Sequence, residues 1–117
     1  MVTMHGFFDL KQADREAELA FKLAFDEFGD YLQKCHLITS YKAMRRSPND
    51  NYDSRPPETT YYISMDFVDL AQTEACWDFI EEHDQTSARL HRNVFSKISD
   101  YSFFLSEDIP AAPYHLK

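Results

Sequence analysis

The chain has 117 residues, 44% hydrophobic and 15% aromatic, so residues 1–117 can form one domain with its own core, without disulfide or metal staples. Its 20 acidic and 12 basic residues give a formal net charge of −8. The two glycines build no phosphate-binding loop, and the one adjacent basic pair is Arg45-Arg46, so nucleic acid and anionic membranes are not expected as partners.

The two cysteines, Cys35 and Cys76, lie in predicted helical segments and follow no regular spacing. We interpret them as thiols in a reducing compartment, although a single disulfide between them stays open. No apolar run is long enough to span a bilayer, and the N-terminus lacks the basic and apolar regions of a secretion signal. These features predict a cytoplasmic protein.

The first half of the chain, about residues 2–44, predicts a strand, a helix and a strand. The apolar run that ends at Phe8 has strand character, and Asp9 with Gln12 forms an Asp-x-x-Gln capping signature. Asp14 is a competing helix cap, so the start of the helix is open by about one turn. The helix is predicted to continue to about Lys34.

Apolar residues recur along this helix at steps of three and four, which is typical of a helix with one buried face. The stripe comprises Ala17, Phe21, Ala24, Phe28, Tyr31 and Leu32, widened by Leu19, Leu23 and Phe25. A second strand is predicted over residues 37–44. The polar, proline-containing residues 46–58 then indicate a long solvated connection.

The second half, about residues 59–105, repeats this order. Residues 59–68 are the clearest strand of the chain, and Asp69 with Gln72 repeats the capping signature. The following helix is interrupted at residues 84–87, and a fourth strand is predicted near 98–105. Residues 106–117 are expected to form an extended tail, because two prolines prevent a continuous helix there.

A short phrase links the two halves. Phe7-Phe8-Asp9-Leu10-Lys11-Gln12 returns 60 residues later, from 7 to 67, as Phe67-Val68-Asp69-Leu70-Ala71-Gln72. We infer a strand–helix–strand unit used twice, which predicts an α+β protein with the ferredoxin-like order βαββαβ. Right-handed crossovers then place both helices on one face of a four-stranded antiparallel sheet with strand order 4-1-3-2.

The repeat also predicts which side chains meet the helices, if equivalent positions have equivalent surroundings. The predicted helix-facing set is Thr3, His5, Phe7, Ile63, Met65 and Phe67. The predicted opposite set is Met4, Gly6, Phe8, Tyr62, Ser64, Asp66 and Val68. That second set is too apolar to face water comfortably, and a second copy of the sheet would bury it. Alternation along the first strand alone would also allow the two faces to be swapped.

The duplicated order, the absence of glycine-rich sites and the mixed uncovered face resemble the dimeric α/β-barrel superfamily of ferredoxin-like proteins, over about residues 2–105. The resemblance implies a homodimer in which two sheets face each other as a barrel with the helices outside. Members of that superfamily include cofactor-free monooxygenases acting on aromatic polyketides or quinols, haem-degrading enzymes and muconolactone isomerase. The resemblance is carried by the order of the elements and the composition, and not by a catalytic motif.

His5 is the candidate catalytic residue, because it is a titratable group in a strand expected to be central. In the cleft between sheet and helices it would act as a general base or a hydrogen-bond donor. The alternative is a core histidine bonded to a neighbouring hydroxyl or carbonyl group. With the faces swapped, His5 would instead belong to the dimer interface.

A second group of residues is a candidate for the wall of a ligand pocket. The members are Tyr41, Tyr61, Trp77 and Tyr101, together with His83 on the same side of the second helix. Such aromatic residues could line a site for a flat molecule, although the same spacing is common for plain core residues.

The histidines do not predict a metal site. His5, His83 and His91 match no metal-binding signature, so neither a metal nor another cofactor is expected. Asp66 could pair with Lys42 or with a residue of a partner subunit, or be an ordinary strand carboxylate.

We therefore expect a homodimer whose pocket binds a small apolar or aromatic molecule. Its enzymatic form would be a cofactor-independent oxygenase or isomerase with His5 as the base, and whether the protein is an enzyme stays open. The alternative is a non-catalytic structural or regulatory dimer with a filled cleft. A solvent-reached cavity of about 300 Å³ or more that touches His5 would favour the first hypothesis.

Overall fold

The computed structural model describes residues 1–110, apart from the side chains of Glu82 and His83. Its elements in chain order are β1 (Val2–Leu10), α1 (Arg15–Lys34), β2 (Ser40–Arg45), β3 (Tyr61–Phe67), α2 (Leu70–Asp78), a π-helical turn (Phe79–His83), α3 (Gln85–Phe95) and β4 (Ile98–Glu107). The strands form one antiparallel sheet of order β2-β3-β1-β4, and the helices cover one face. The predicted ferredoxin-like fold and strand order are confirmed.

The two long helical segments begin at aspartate caps, as their sequences predict, but the first cap is not Asp9. Asp14 caps α1 by accepting a hydrogen bond of 2.7 Å from the Ala17 N–H. The Asp9 carboxylate instead accepts from the Thr60 N–H at 2.8 Å. The predicted cap of α2 is confirmed, because Asp69 accepts from the backbone N–H of Gln72 at 2.8 Å.

The proposed alignment of the two halves is wrong. Phe7 lies opposite Tyr62, whereas Phe67 lies opposite Val2, so the two phenylalanines do not occupy matching places. The true helix caps, Asp14 and Asp69, are 55 residues apart and not 60. Side chains alternate between the two faces along a strand. Replacing the even offset of 60 by the odd offset of 55 therefore moves each β1 side chain to the other face of the sheet, so the predicted faces of β1 are inverted.

The helix-facing side chains follow from the pairing and the burial pattern. In β3 they are Tyr61, Ile63, Met65 and Phe67, as predicted for the last three. In β1 they are Val2, Met4, Gly6, Phe8 and Leu10, so the predicted placement of Thr3, His5 and Phe7 against the helices is wrong. These three lie on the face without helices, here called the open face.

Helix α1 packs closely on the sheet through the stripe expected from its sequence. Its buried aromatic residues include Phe21 and Phe25, and the Phe21 ring lies 4.9 Å from that of Phe8, measured between centroids. The predicted burial of Leu19 and Leu23 is wrong, because their side chains are 60% and 62% exposed. The stripe is therefore narrower than predicted and needs only one face of the helix.

The second helical segment is broken into three parts. α2 ends at Asp78, the π-helical turn follows, and Asp84 begins α3 by accepting from the N–H groups of Thr86 and Ser87. The Asp84 carboxylate also accepts a hydrogen bond of 2.5 Å from the Tyr31 hydroxyl of α1, which lowers the pKa of Asp84. This bond fixes the start of α3 against α1.

The connection over residues 46–58 is exposed throughout, as predicted. The tail prediction continues past the part of the chain that the structure describes, which ends at Pro110. Within residues 1–110, no helix combines the length and the apolar character that crossing a bilayer requires.

Candidate functional site

An apolar cavity of about 700 Å³ lies between the helix-facing side of the sheet and the helices. Its floor is formed by side chains of the central strands, and its walls by α1, α2 and α3. The floor includes Met4 and Met65, and the walls include Phe28, Ile80 and Val94. A cleft bounded by hydrophobic side chains on every element is the arrangement found in sites for small molecules.

The cavity opens towards β4 and α2. Among the residues that line it, Phe103 and Leu105 of β4 are 38% and 48% exposed, and Trp77 of α2 is 49% exposed. β4 is an edge strand, so no further strand within residues 1–110 covers this side. These half-exposed side chains mark the mouth through which a ligand would enter.

His91 of α3 is the titratable ring inside this apolar wall. Its centroid lies 5.7 Å from Phe28, 5.8 Å from Trp77 and 5.6 Å from Phe95. No hydrogen bond joins its imidazole to any side chain or backbone group that the structure describes. Burial is the main cause that lowers the pKa of His91 below its ordinary value of 6.5, so the ring is neutral at pH 7.

A neutral imidazole with free ring nitrogens can accept one hydrogen bond and donate another. The His91 ring is partly buried and its nitrogens have no partner in the described part of the chain, so a ligand that supplies a partner can form hydrogen bonds with them. From the sequence His91 was considered only as a metal ligand, although it lies at helical steps from Ala88, Val94 and Phe95 of α3. A single polar residue on that apolar stripe was the signal that could have identified it.

Cys76 also lines the cavity, but its chemistry is different. Burial raises the pKa of the Cys76 thiol to about 11, so the sulfur is protonated at neutral pH. A thiol in that state is a poor nucleophile. Both cysteines are free in this structure, which agrees with their interpretation as thiols.

His5 does not lie in the cavity, and its predicted placement in the cleft is wrong. It is on the open face, where its Nδ1 is 2.6 Å from the Tyr62 hydroxyl and its Nε2 is 2.6 Å from the Ser106 hydroxyl. The ring stacks on Phe104 at a centroid distance of 4.8 Å. Both ring nitrogens are therefore satisfied within the sheet. A catalytic role for His5 stays a prediction without support from this position.

Asp66 belongs to the same open face. Its carboxylate accepts hydrogen bonds from the hydroxyls of Thr3 at 2.7 Å and Ser40 at 2.6 Å, and thus ties three strands together. The bond from Ser40 is the main cause that lowers the pKa of Asp66 below its ordinary value. Of the alternatives left open for Asp66, a direct ion pair with Lys42 is not formed, although the charge of Lys42 contributes to lowering the pKa.

The predicted pocket residues divide between different parts of the molecule. Trp77 lines the cavity, whereas Tyr41 and Tyr61 lie beneath α1 and outside it. The Tyr41 hydroxyl donates to Asp30 at 2.5 Å, and burial raises its pKa to about 12. The Tyr61 hydroxyl donates to a carboxylate of α1 at 3.0 Å. These tyrosines anchor the helix and do not line this cavity.

The other two candidates add little to the site. Tyr101 packs against Phe95 at a centroid distance of 4.7 Å, beside the mouth and not within the wall. The side chain of His83 lies outside the part of the chain that the structure describes. Among the side chains that are described, no group of three or more His, Cys, Asp or Glu residues could hold a metal ion.

The order of the elements and the antiparallel sheet with helices on one face define a ferredoxin-like fold. The chain belongs to a family of unknown function, DUF6614, whose model matches residues 1–114. No curated protein matches the sequence.

Several solved structures share the fold. A protein of Arabidopsis thaliana has a TM-score of 0.71 at 5% identity, with 97% of this chain and 100% of that chain covered. A dimeric protein of unknown function from Bacteroides fragilis has a TM-score of 0.60 at 16% identity, covering 92% and 95%. The cofactor-independent oxygenase SnoaB of Streptomyces nogalater has a TM-score of 0.60 at 10% identity, covering 96% of both chains. At such identities the similarity establishes the fold alone.

Proposed function

We propose that this protein binds a small apolar or aromatic molecule in the cavity between its sheet and its helices. The observation that carries the proposal is the apolar cavity of about 700 Å³ with the unpartnered ring of His91 in its wall. Ligand sites are typically about 300–1,000 Å³ and combine apolar walls with a few polar groups. Both properties are present, although the polar group is His91 and not His5.

We further propose that two copies of the chain pair through the open face. This face combines aromatic rings with polar groups that are already bonded to each other, such as His5 with Tyr62 and Asp66 with Thr3. Phe104 is 48% exposed there, and burial of such a ring favours association. The Bacteroides fragilis protein with the same fold is described as dimeric, which agrees with this arrangement.

A proton-abstracting enzyme is the second candidate function, and His91 is the observation that favours it. A neutral imidazole in a water-poor cavity suits a general base, because nothing else in the described wall competes for its ring nitrogens. A cofactor-independent oxygenase from Streptomyces nogalater has the same fold. In this version His91 would remove a proton from a bound aromatic molecule, and Trp77 would form part of the wall.

Binding can be tested with Nile red, a neutral apolar dye whose fluorescence rises in apolar surroundings. Thr73 lines the cavity from α2, and Thr73→Phe would fill part of the space. Ala75 is exposed on the same helix and outside the lining, so Ala75→Phe is a matched control. We expect Thr73→Phe to weaken binding of the dye about tenfold or more, and Ala75→Phe to change it little.

Equal binding of Nile red to both variants would contradict the cavity as the binding site. It would then favour the alternative of a non-catalytic structural or regulatory dimer. Circular dichroism and thermal unfolding of both variants would verify that each is folded before the titrations are compared. A cytoplasmic location stays a prediction from the cysteine content.

A further inference from the structure

We infer that the ligand of this cavity is a hydrophobic amine, with its apolar body in the cavity and its ammonium group at the mouth. This inference rests on the proposed ligand-binding function and adds the charge of the ligand to it. It is carried by the charged side chains that border the apolar cavity. Those that the structure describes are negative and lie on one helix.

Among the described residues, the charged side chains of the lining are two carboxylates, and both are on α2. Glu74 and Asp78 border the cavity, and Trp77 lies between them in sequence. Because residues three and four apart share one face of a helix, Glu74, Trp77 and Asp78 form a carboxylate–indole–carboxylate row at the mouth. An ammonium group is attracted to carboxylates and also to the face of an indole ring.

These carboxylates have no competing partners in the described part of the chain. Neither Glu74 nor Asp78 forms a hydrogen bond or an ion pair with a described side chain or backbone group. Other acidic groups are engaged, as when Glu18 pairs with Arg45 at 2.8 Å. The two mouth carboxylates are therefore available to a cation from outside.

An anionic ligand would find no counter-charge among the described residues of this site. Within that part of the chain, neither lysine nor arginine contributes to the lining, and the histidine that does, His91, is neutral because burial lowers its pKa. A carboxylate or sulfate at the mouth would instead lie near Glu74 and Asp78 and be repelled. The apolar volume independently calls for a hydrophobic body, so the cavity and its rim together select an amine over an acid of equal size.

The test uses three compounds with the same aromatic body, which compete with Nile red at neutral pH. Naphthylmethylamine is cationic, naphthalenemethanol is neutral and naphthoate is anionic. We expect displacement to be strongest for the amine and weakest for naphthoate, with affinities that differ about tenfold or more at low salt. High salt should narrow the difference, because the carboxylates are exposed.

The decisive variant removes both mouth charges, Glu74→Gln with Asp78→Asn. We expect it to bring the affinities for the amine and for naphthoate to within about threefold of each other, while the neutral alcohol binds as before. Because the whole chain is acidic, the control removes two exposed charges elsewhere, Glu27→Gln with Asp50→Asn. The control should retain the preference for the amine, since its net charge equals that of the test variant.

Two outcomes would overturn the inference. Equal or stronger displacement by naphthoate in the natural protein contradicts it directly, and so does an unchanged preference for the amine after both mouth charges are removed. In either case, displacement by the neutral alcohol would leave the binding function intact. If none of the three compounds displaces the dye, the binding function fails and the inference fails with it.

Discussion

Both faces of the sheet carry aromatic rings, but the rings have different surroundings on the two faces. On the helix-facing side, phenylalanine rings pack under α1 but leave about 700 Å³ unfilled beneath α2 and α3. On the open face, rings such as Phe104 alternate with polar groups that bond to one another. An unfilled apolar space suits a ligand, whereas an array of satisfied polar groups can be covered by another protein surface at little cost.

The contrast on the helix side originates in the two helical segments. α1 is a continuous helix of 20 residues whose aromatic face rests on the sheet, and Gly29 allows the ring of Tyr41 to approach it closely. The second segment is divided by the π-helical turn, a feature that often occurs near functional sites. Both segments border the cavity, but the unbroken one also forms the compact part of the core.

The largest expected effect is on stability, and it compares two neighbouring residues of β1 whose side chains lie on opposite faces of the sheet. Phe8 is fully buried beneath α1, so Phe8→Ala should lower the free energy of unfolding by about 3–5 kcal/mol. Phe7 points to the open face and contacts Tyr62 at a centroid distance of 5.1 Å. For Phe7→Ala we expect a loss below about 2 kcal/mol in a dilute sample, because fewer contacts disappear. Denaturant titration measures both.

Protein concentration sharpens this comparison. If the open face joins two copies, the loss caused by Phe7→Ala should increase with protein concentration, while that of Phe8→Ala stays nearly constant. Sedimentation velocity at micromolar concentration should detect a dimer for the natural chain and more monomer for Phe7→Ala. Monomer alone for the natural chain would remove the proposed interface.

The architecture could be predicted from the sequence because hydrophobic periodicity and capping residues do not depend on the exact register. The strand order follows from the order of elements and the hand of the crossovers. The faces of β1 could not be assigned in this way. Asp9 resembled a helix cap, but it bonds to Thr60 across the sheet, and β1 continues to Leu10. A cap misplaced by five residues, an odd number, inverted the face of every residue in the strand.

The site was less predictable for a related reason. Sequence spacing located Trp77 on the correct helix, but it could not show that Tyr41 and Tyr61 would be used by carboxylates of α1. His5 was the candidate catalytic residue because it is a histidine in a strand expected to be central. Its hydroxyl partners come from two other strands, which the sequence could not show. Only the tertiary arrangement distinguishes a satisfied imidazole from an unpartnered one such as His91.

A smaller effect should separate the compact part of the core from the region around the cavity. A Cβ atom at Gly29 would lie 2.6 Å from the ring of Tyr41, which is held between α1 and the sheet. Alanine gains about 1 kcal/mol over glycine in helix propensity, but the clash with Tyr41 costs more. We therefore expect Gly29→Ala to destabilise the protein by a net amount of about 1–2 kcal/mol. A Cβ at Gly6 would lie 2.5 Å from Phe103, whose side chain at the cavity mouth can move aside, and 3.0 Å from the buried side chain of Ile63.

Gly6→Ala is therefore expected to cost less than Gly29→Ala, and to alter binding of Nile red instead because Phe103 shifts. Thermal unfolding and dye titration of the two variants provide the comparison. An equal or larger loss of stability for Gly6→Ala would mean that the mouth is as tightly packed as the core beneath α1, which would contradict the cavity as an adaptable site.

The smallest effect concerns pH and tests the state of His91. Its pKa is lower in the folded protein than its ordinary value of 6.5, mainly through burial, so the unfolded chain binds more protons between these two values. Stability should therefore fall as the pH decreases through about 6.5 and level off below the folded pKa. Asp66 and Asp84 also have lowered pKa values, but their stabilisation is lost only as the pH falls below about 3.8.

His91→Phe should flatten the upper part of this profile and leave the acidic part unchanged, as measured by denaturant titration from about pH 7.5 to pH 3. A slope between pH 7.5 and pH 5.5 that persists in His91→Phe would assign the titration to another group and remove His91 as the neutral imidazole of the cavity.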